Sequence, residues 1–154
     1  MVNIIPFKEQ YSKDFYNLNV EWLKTHFYVE PYDEDVLSKP KTYIIDKGGY
    51  IFFAELDNTI IGTYALMPSP QNDGFELTKM AVSPNYRNYK IGQQLLTHAI
   101  NFAKAQQFKN LVLYSSRKLE NAIYIYTKIG FKEIPVEENC HYKRCDIKMQ
   151  YFDL

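Results

Sequence analysis

Val82-Ser-Pro-Asn-Tyr-Arg-Asn-Tyr-Lys-Ile-Gly-Gln-Gln-Leu-Leu96 reads as a strand end, a polar turn and a helix start, and the rest of the chain arranges itself around it. Met80 and Val82 close the strand; Pro84 cannot donate to a ladder and Asn85 tolerates turn conformations. From Ile91 apolar residues recur at Leu95, Ala99 and Phe102, with Leu96, Ile100 and Ala103 beside them, the spacing of a helix that buries one face. A helix start gathers free backbone N–H groups and the positive end of the macrodipole, which suits an anion. Gly92 permits close approach and Lys90 adds a cation. A helix start that binds nothing accounts for the same residues.

Downstream, Leu111-Val-Leu-Tyr114 is a nearly continuous apolar strand of the kind buried on both faces. Strand, crossover helix (about Lys90 to Gln107) and strand predict a parallel pair, and ligands in such sheets bind beyond the carboxyl ends of the strands. A second helix, about Lys118 to Ile129, carries Ala122, Ile125, Tyr126 and Ile129 on one side and stops at Gly130. Phe131 to Pro135 reads as a strand and Val136 to Asn139 as an acidic turn. Tyr142 to Phe152 reads as a final long strand with Cys145, Ile147 and Met149 pointing one way.

Upstream, Val2 to Phe7 is a short strand, and a helix from about Lys8 to Phe27 places Tyr11, Phe15, Leu18 and Trp22 on one face. Tyr32 to Leu37 is a short helix whose first turn holds Asp33, Glu34 and Asp35, and Ser38 to Gly49 reads as a loop. Tyr50 to Leu56 and Thr59 to Leu66, joined by Asp57-Asn58, form an antiparallel hairpin. Pro68 to Gly74 is a loop and Phe75 to Val82 completes a meander. The expectation is a mixed α/β fold, a central sheet of six or seven strands flanked by helices, in one domain over residues 1–154.

Composition narrows the function. At 154 residues and 46% hydrophobic content the chain can bury a substantial core, and the even spread of its tyrosines favours packing over a stacking platform. Eighteen basic against eighteen acidic residues leave no broad field for nucleic acid or for metals, so partners are chosen by a local site. Cys140 and Cys145, with His141 between, are too few for a metal site and read as free thiols of a reducing cytosol. No apolar run approaches ~18 residues and the N-terminus lacks a signal-peptide layout, so a cytoplasmic protein with no membrane partner is expected.

Glu76-Leu-Thr-Lys-Met-Ala-Val-Ser-Pro-Asn-Tyr-Arg-Asn-Tyr-Lys-Ile-Gly92, followed by Ala122, Tyr126, Gly130 and Phe131, resembles the GNAT superfamily of acyl-CoA dependent N-acyltransferases. The order of elements over nearly the whole chain fits the same family. The resemblance implies acetyl-CoA as co-substrate, with its pyrophosphate on the amides of the turn: Arg87, Asn88, Tyr89, Lys90, Ile91, Gly92 and Gln93. The backbone of Met80, Ala81 and Val82 would run beside the pantetheine arm. Two positions depart from the family pattern: Lys90 stands where a glycine is usual, tolerable if it keeps a helical conformation, and Leu119 where an asparagine is usual. Asn121 does not replace it, because two residues on a helix swing a side chain by about 200°.

The implied reaction needs a neutral amine and a proton for the departing thiolate. Amines of pKa about 10.4 are mostly protonated at neutral pH, so a base is useful. Tyr126 matches the family's acid position, and Glu76 resembles carboxylates that act as base through water. The expected activity is acetyl transfer to a primary amine of a small molecule or peptide by direct attack on the thioester, with no metal, and with a homodimer left open. The acceptor groove would be lined by Trp22, Phe27, Tyr28, Glu30, Tyr32 and the Glu137 to Tyr142 turn, with acidic Glu30, Asp33, Glu34, Glu137 and Glu138 attracting a cationic acceptor or merely forming a solvated rim. The alternative is a non-catalytic acyl-CoA-binding regulatory domain; a nucleic-acid module fits the zero net charge poorly.

Overall fold

A computed structural model describes residues 1–138, 140 and 142–154. Strands β1 (Asn3–Pro6), β2 (Tyr50–Leu56), β3 (Thr59–Ser69), β4 (Gly74–Val82), β5 (Leu111–Ser115), β6 (Phe131–Ile134) and β7 (Ile147–Tyr151) form one seven-stranded sheet in the order β1-β2-β3-β4-β5-β7-β6. The helices are α1 (Ser12–His26), α2 (Pro31–Ser38), α3 (Pro40–Tyr43), α4 (Ile91–Ala105) and α5 (Glu120–Ile129). Among the described residues no helix is long and apolar enough to cross a membrane.

Strand alternation divides the core between the two faces of the sheet. Phe52, Ala54 and Leu66 pack on α4 residues such as Leu95 and Ala99, while Ile51, Phe53 and Ala65 pack on Phe15 and Leu23 of α1 and Val36 and Leu37 of α2. Asp57 and Asn58 both adopt positive φ (50° and 64°), the conformation of a two-residue turn whose twist matches a hairpin. The α4 face follows the predicted spacing, with Ile91, Leu95, Leu96, Ala99, Ile100 and Ala103 buried.

Two irregularities in β4 shape everything that follows. Against β3, Thr63 pairs with Ala81 and Ala65 with Thr78, so Tyr64 faces two residues, Lys79 and Met80, in a β-bulge. Against β5, β4 is parallel but shares only Phe75–Leu111, Glu76–Val112 and Leu77–Leu113 before the strands part.

The structure corrects several expectations. The inner face of α1 runs through Phe15, Asn19 and Leu23, with Tyr11 and Trp22 packed beside them and Leu18 left out, and Asn19 is accommodated because its Nδ2 donates to the Phe15 carbonyl at 3.0 Å. Within the expected loop 38–49, Pro40 starts α3, its fixed φ suiting the first helical turn. The final strand begins at Ile147, not Tyr142. Cys140 and Cys145 are joined in a disulfide, not free: the turn that contains them brings their Cα atoms to 6.5 Å, within bridging range. Asn139 and His141, part of the predicted acidic turn and acceptor groove, lie outside the described residues.

Candidate functional site

The parting of β4 from β5 opens a cavity of about 130 Å³. One wall is β4 from Glu76 to Met80; the opposite wall is the end of β5 with Leu119, Ala122 and Tyr126 of the α5 region; Trp22 and Phe27 close it from the α1 side. Leu119, Ala122 and Tyr126 share one helix face at three- and four-residue spacing. A smaller cavity of about 70 Å³, lined by Tyr32, Met67 and Ser69, shares Glu76, Thr78 and Tyr142 with the larger one. Glu76 therefore stands between the two spaces.

Its environment sets its chemistry. Burial raises the Glu76 pKa, while the Lys79 charge and a hydrogen bond from Thr78 oppose the rise. Across the larger cavity, burial also raises the Tyr126 phenol. Its ring packs edge-on to Phe131 at 6.1 Å, and its hydroxyl makes no hydrogen bond among the described residues. The two residues expected to act as base and acid thus line one cavity.

The turn after β4 leaves a run of backbone amides without partners among the described residues. The Tyr89 amide donates to the Tyr86 carbonyl at 3.2 Å, and the helical ladder begins with Gln94 N–H to Lys90 C=O at 3.1 Å. The amides of Asn88, Lys90, Ile91, Gly92 and Gln93 meet no described partner. A Cβ placed on Gly92 would touch nothing within 4 Å, so its surface is open to a ligand. Lys90 does not keep a helical conformation: it caps α4 at φ 59° and ψ 25°, the left-handed region, which is why glycine suits this position. The Arg87 side chain points away from the turn, donating from Nε to the Val82 carbonyl at 3.1 Å and pairing with Glu21 of α1. Its guanidinium pins the turn to α1. Of the three residues expected beside the pantetheine arm, Met80 lines the cavity, while Ala81 and Val82 pair with Thr63 and Gly62 of β3.

The expected acidic rim is largely neutralised. Glu30 is buried and accepts from Arg144 at 3.0 Å and from the Lys143 amide at 3.2 Å; Glu137 pairs with Lys148 at 2.9 Å; Glu34 accepts from the Tyr16 hydroxyl at 2.7 Å. Tyr28 lines neither cavity. Two charged cavity residues were given no role in the sequence reading, Lys79 and Arg144, whereas Asp33 and Tyr142, expected at the acceptor groove, do line the cavity. Asp33 is fully buried beneath the cation of Arg144, and Lys79 is turned inward by the bulge. Their signal was faint, a lone Lys within an otherwise apolar strand segment and an Arg close before the last strand.

The sequence profile of the Acetyltransferase (GNAT) family matches residues 12–131. The "Probable N-acetyltransferase camello" of Xenopus tropicalis is 30% identical over 105 residues, 68% of this chain and 48% of that protein. The chain spans about half the length of the curated relatives it matches. Among solved structures, an acetyltransferase of the GNAT family from Staphylococcus aureus Mu50 superposes with a TM-score of 0.84 at 25% identity, covering 98% of both chains. A GNAT family acetyltransferase from Elizabethkingia anophelis, solved with acetyl-CoA bound, superposes at 0.66 with 25% identity over 97% of each chain.

Proposed function

Because this chain belongs to the GNAT acetyltransferase family, we propose that it moves the acetyl group of acetyl-CoA to a primary amine, with Glu76 as general base and Tyr126 as general acid. The support is one arrangement: Glu76 and Tyr126, whose hydroxyl has no hydrogen-bond partner among the described residues, line the same cavity, at the parted strand ends and next to a turn whose amides are unpaired among those residues. When bound, acetyl-CoA supplies the activated thioester. The amides of Asn88 and of Lys90 to Gln93 bind its pyrophosphate, the open face of Gly92 admits it, and the Met80 backbone aligns the arm that leads to the cavity.

Glu76 relays a proton from the acceptor ammonium to solvent, directly or through one water; the freed amine forms the new C–N bond, its nitrogen gives up its second proton to Glu76, and the C–S bond breaks. Tyr126 donates its hydroxyl proton to the departing sulfur and is reprotonated from solvent. Each positioned proton transfer contributes typically 10²–10⁴-fold. The acceptor enters between Trp22, Phe27 and Tyr142, aromatic walls that fit an apolar or cationic body.

The test is a thiol-release assay against a panel of primary amines, with calorimetry for acetyl-CoA. Thiol release together with an acetylated product supports the reading. Tight binding of acetyl-CoA without release across the whole panel replaces it with the non-catalytic acyl-CoA-binding domain.

A further inference from the structure

On a regular strand, residues three apart project to opposite faces of the sheet. Glu76 and Lys79 nevertheless line the same cavity, because the bulge opposite Tyr64 resets the alternation between them. Lys79 holds the left-handed backbone needed for this (φ 56°), a strained conformation for a residue with a side chain. The side chain so delivered is only 4% exposed. A buried ammonium requires partners, and these are in place: Nζ lies 3.5 Å from Asp33 Oδ1, donates to the Tyr142 hydroxyl, and sits 4.4 Å from the Tyr142 ring centroid. Asp33 is fixed in turn by two hydrogen bonds from Arg144, at 2.9 and 3.0 Å.

We propose that Lys79 is a positioning residue for Glu76: clamped by Asp33 and Tyr142, its ammonium is the counter-charge that keeps the Glu76 carboxylate ionised inside the cavity. This rests on Glu76 serving as base in the proposed acetyl transfer.

The other titratable groups around the pair do not substitute for Lys79. Arg144, from the turn before β7, is engaged by Asp33 and Glu30 of α2. Lys148 of β7 is engaged by Glu137, and its charge acts on Glu76 less than that of Lys79. Tyr32 of α2, Tyr142 and Tyr126 of α5 are phenols pushed above their ordinary range, first of all by burial, and carry no positive charge. Lys79 itself is lowered to about 8 by burial, against the pull of Asp33 and Glu76, so it is a cation at neutral pH.

The experiment follows the Glu76 carboxyl by carbon NMR in protein labelled at the glutamate side-chain carboxyl, the signal assigned by its loss in Glu76→Gln. In Lys79→Met the Glu76 midpoint should rise by about one pH unit or more, the size expected from removing a neighbouring opposite charge, and in Lys79→Arg it should stay near wild type. The same shift should appear in the acid limb of kcat/KM, with at least a tenfold loss at neutral pH that recovers in alkali. Glu76→Gln, isosteric and expected to fold, supplies the reciprocal measurement: the Lys79 ammonium should titrate at lower pH than in wild type. An unmoved Glu76 midpoint in Lys79→Met, a midpoint as displaced in Lys79→Arg, or an unmoved Lys79 midpoint in Glu76→Gln overturns the proposal. A moved midpoint in a protein that releases no thiol removes the acetyl-transfer reading and leaves the charge pairing standing; thiol release with unmoved midpoints does the reverse.

Discussion

Arg144 and Asp33, 111 residues apart in sequence, meet through two hydrogen bonds of 2.9 and 3.0 Å, with the Asp33 side chain wholly buried. Breaking a buried pair typically costs about 3–5 kcal/mol, but Lys79, 3.5 Å from Asp33, remains as its counter-charge, so Arg144→Met should lower the unfolding free energy by less than that in denaturant titrations.

Asp33 also ties stability to pH. Burial alone would raise its pKa, but the Arg144 hydrogen bonds, the Lys79 charge and the Glu30 amide together outweigh burial and hold the carboxyl below its ordinary range. A depressed folded pKa contributes stability that is present above the unfolded value near 3.9 and is lost as pH falls through the folded value. Melting temperature should therefore decline below about pH 4 more steeply in wild type than in Asp33→Asn.

For Glu76 the sign is opposite. A carboxyl whose folded pKa is raised destabilises the fold once pH climbs past the unfolded value, so Glu76→Gln should melt at or above the wild-type temperature at pH 7 while losing the acid limb of the rate profile. Lower melting at pH 7 would contradict the placement of Glu76 as a charge held for use.

Tyr126→Phe keeps the ring on Phe131 and deletes the hydroxyl. Turnover should fall by about 10²–10⁴-fold with little change in melting temperature. Unchanged turnover at saturating amine would sink the acid role.

Lys90→Gly tests the cap of α4. A left-handed residue with a Cβ costs roughly 1–2 kcal/mol, and glycine returns about 0.5–1 kcal/mol of that through its looser unfolded chain. The variant should be more stable by about 0.5 kcal/mol and should bind acetyl-CoA at least as well, which a calorimetric titration reads directly.

The Val82–Leu96 turn, the parallel crossover and the Asp57-Asn58 hairpin were legible because each rests on local chemistry: a proline stop, a helical period, two residues that tolerate positive φ. The pairing of Glu76 and Tyr126 was legible only through resemblance to a family. What stayed hidden depends on partners far along the chain. The bulge at Lys79 is a one-residue mismatch between β3 and β4, invisible in either strand alone. Arg144 has no meaning until α2 is folded beneath it. The Cys140–Cys145 bridge escaped for a different reason: composition argued about compartment, whereas the turn decided by distance.

The early parting of β4 and β5 has a consequence for how the protein coexists with its neighbours. Strand edges with unpaired backbone groups invite other chains to add on, and proteins ordinarily cover, shorten or charge them. Here two such edges face each other inside one sheet, flanked by α1 and α5 and separated by a space of about 130 Å³. The molecule keeps unpaired main chain inside the sheet, while the outer edges left to a foreign strand are β1 and β6, only four residues each.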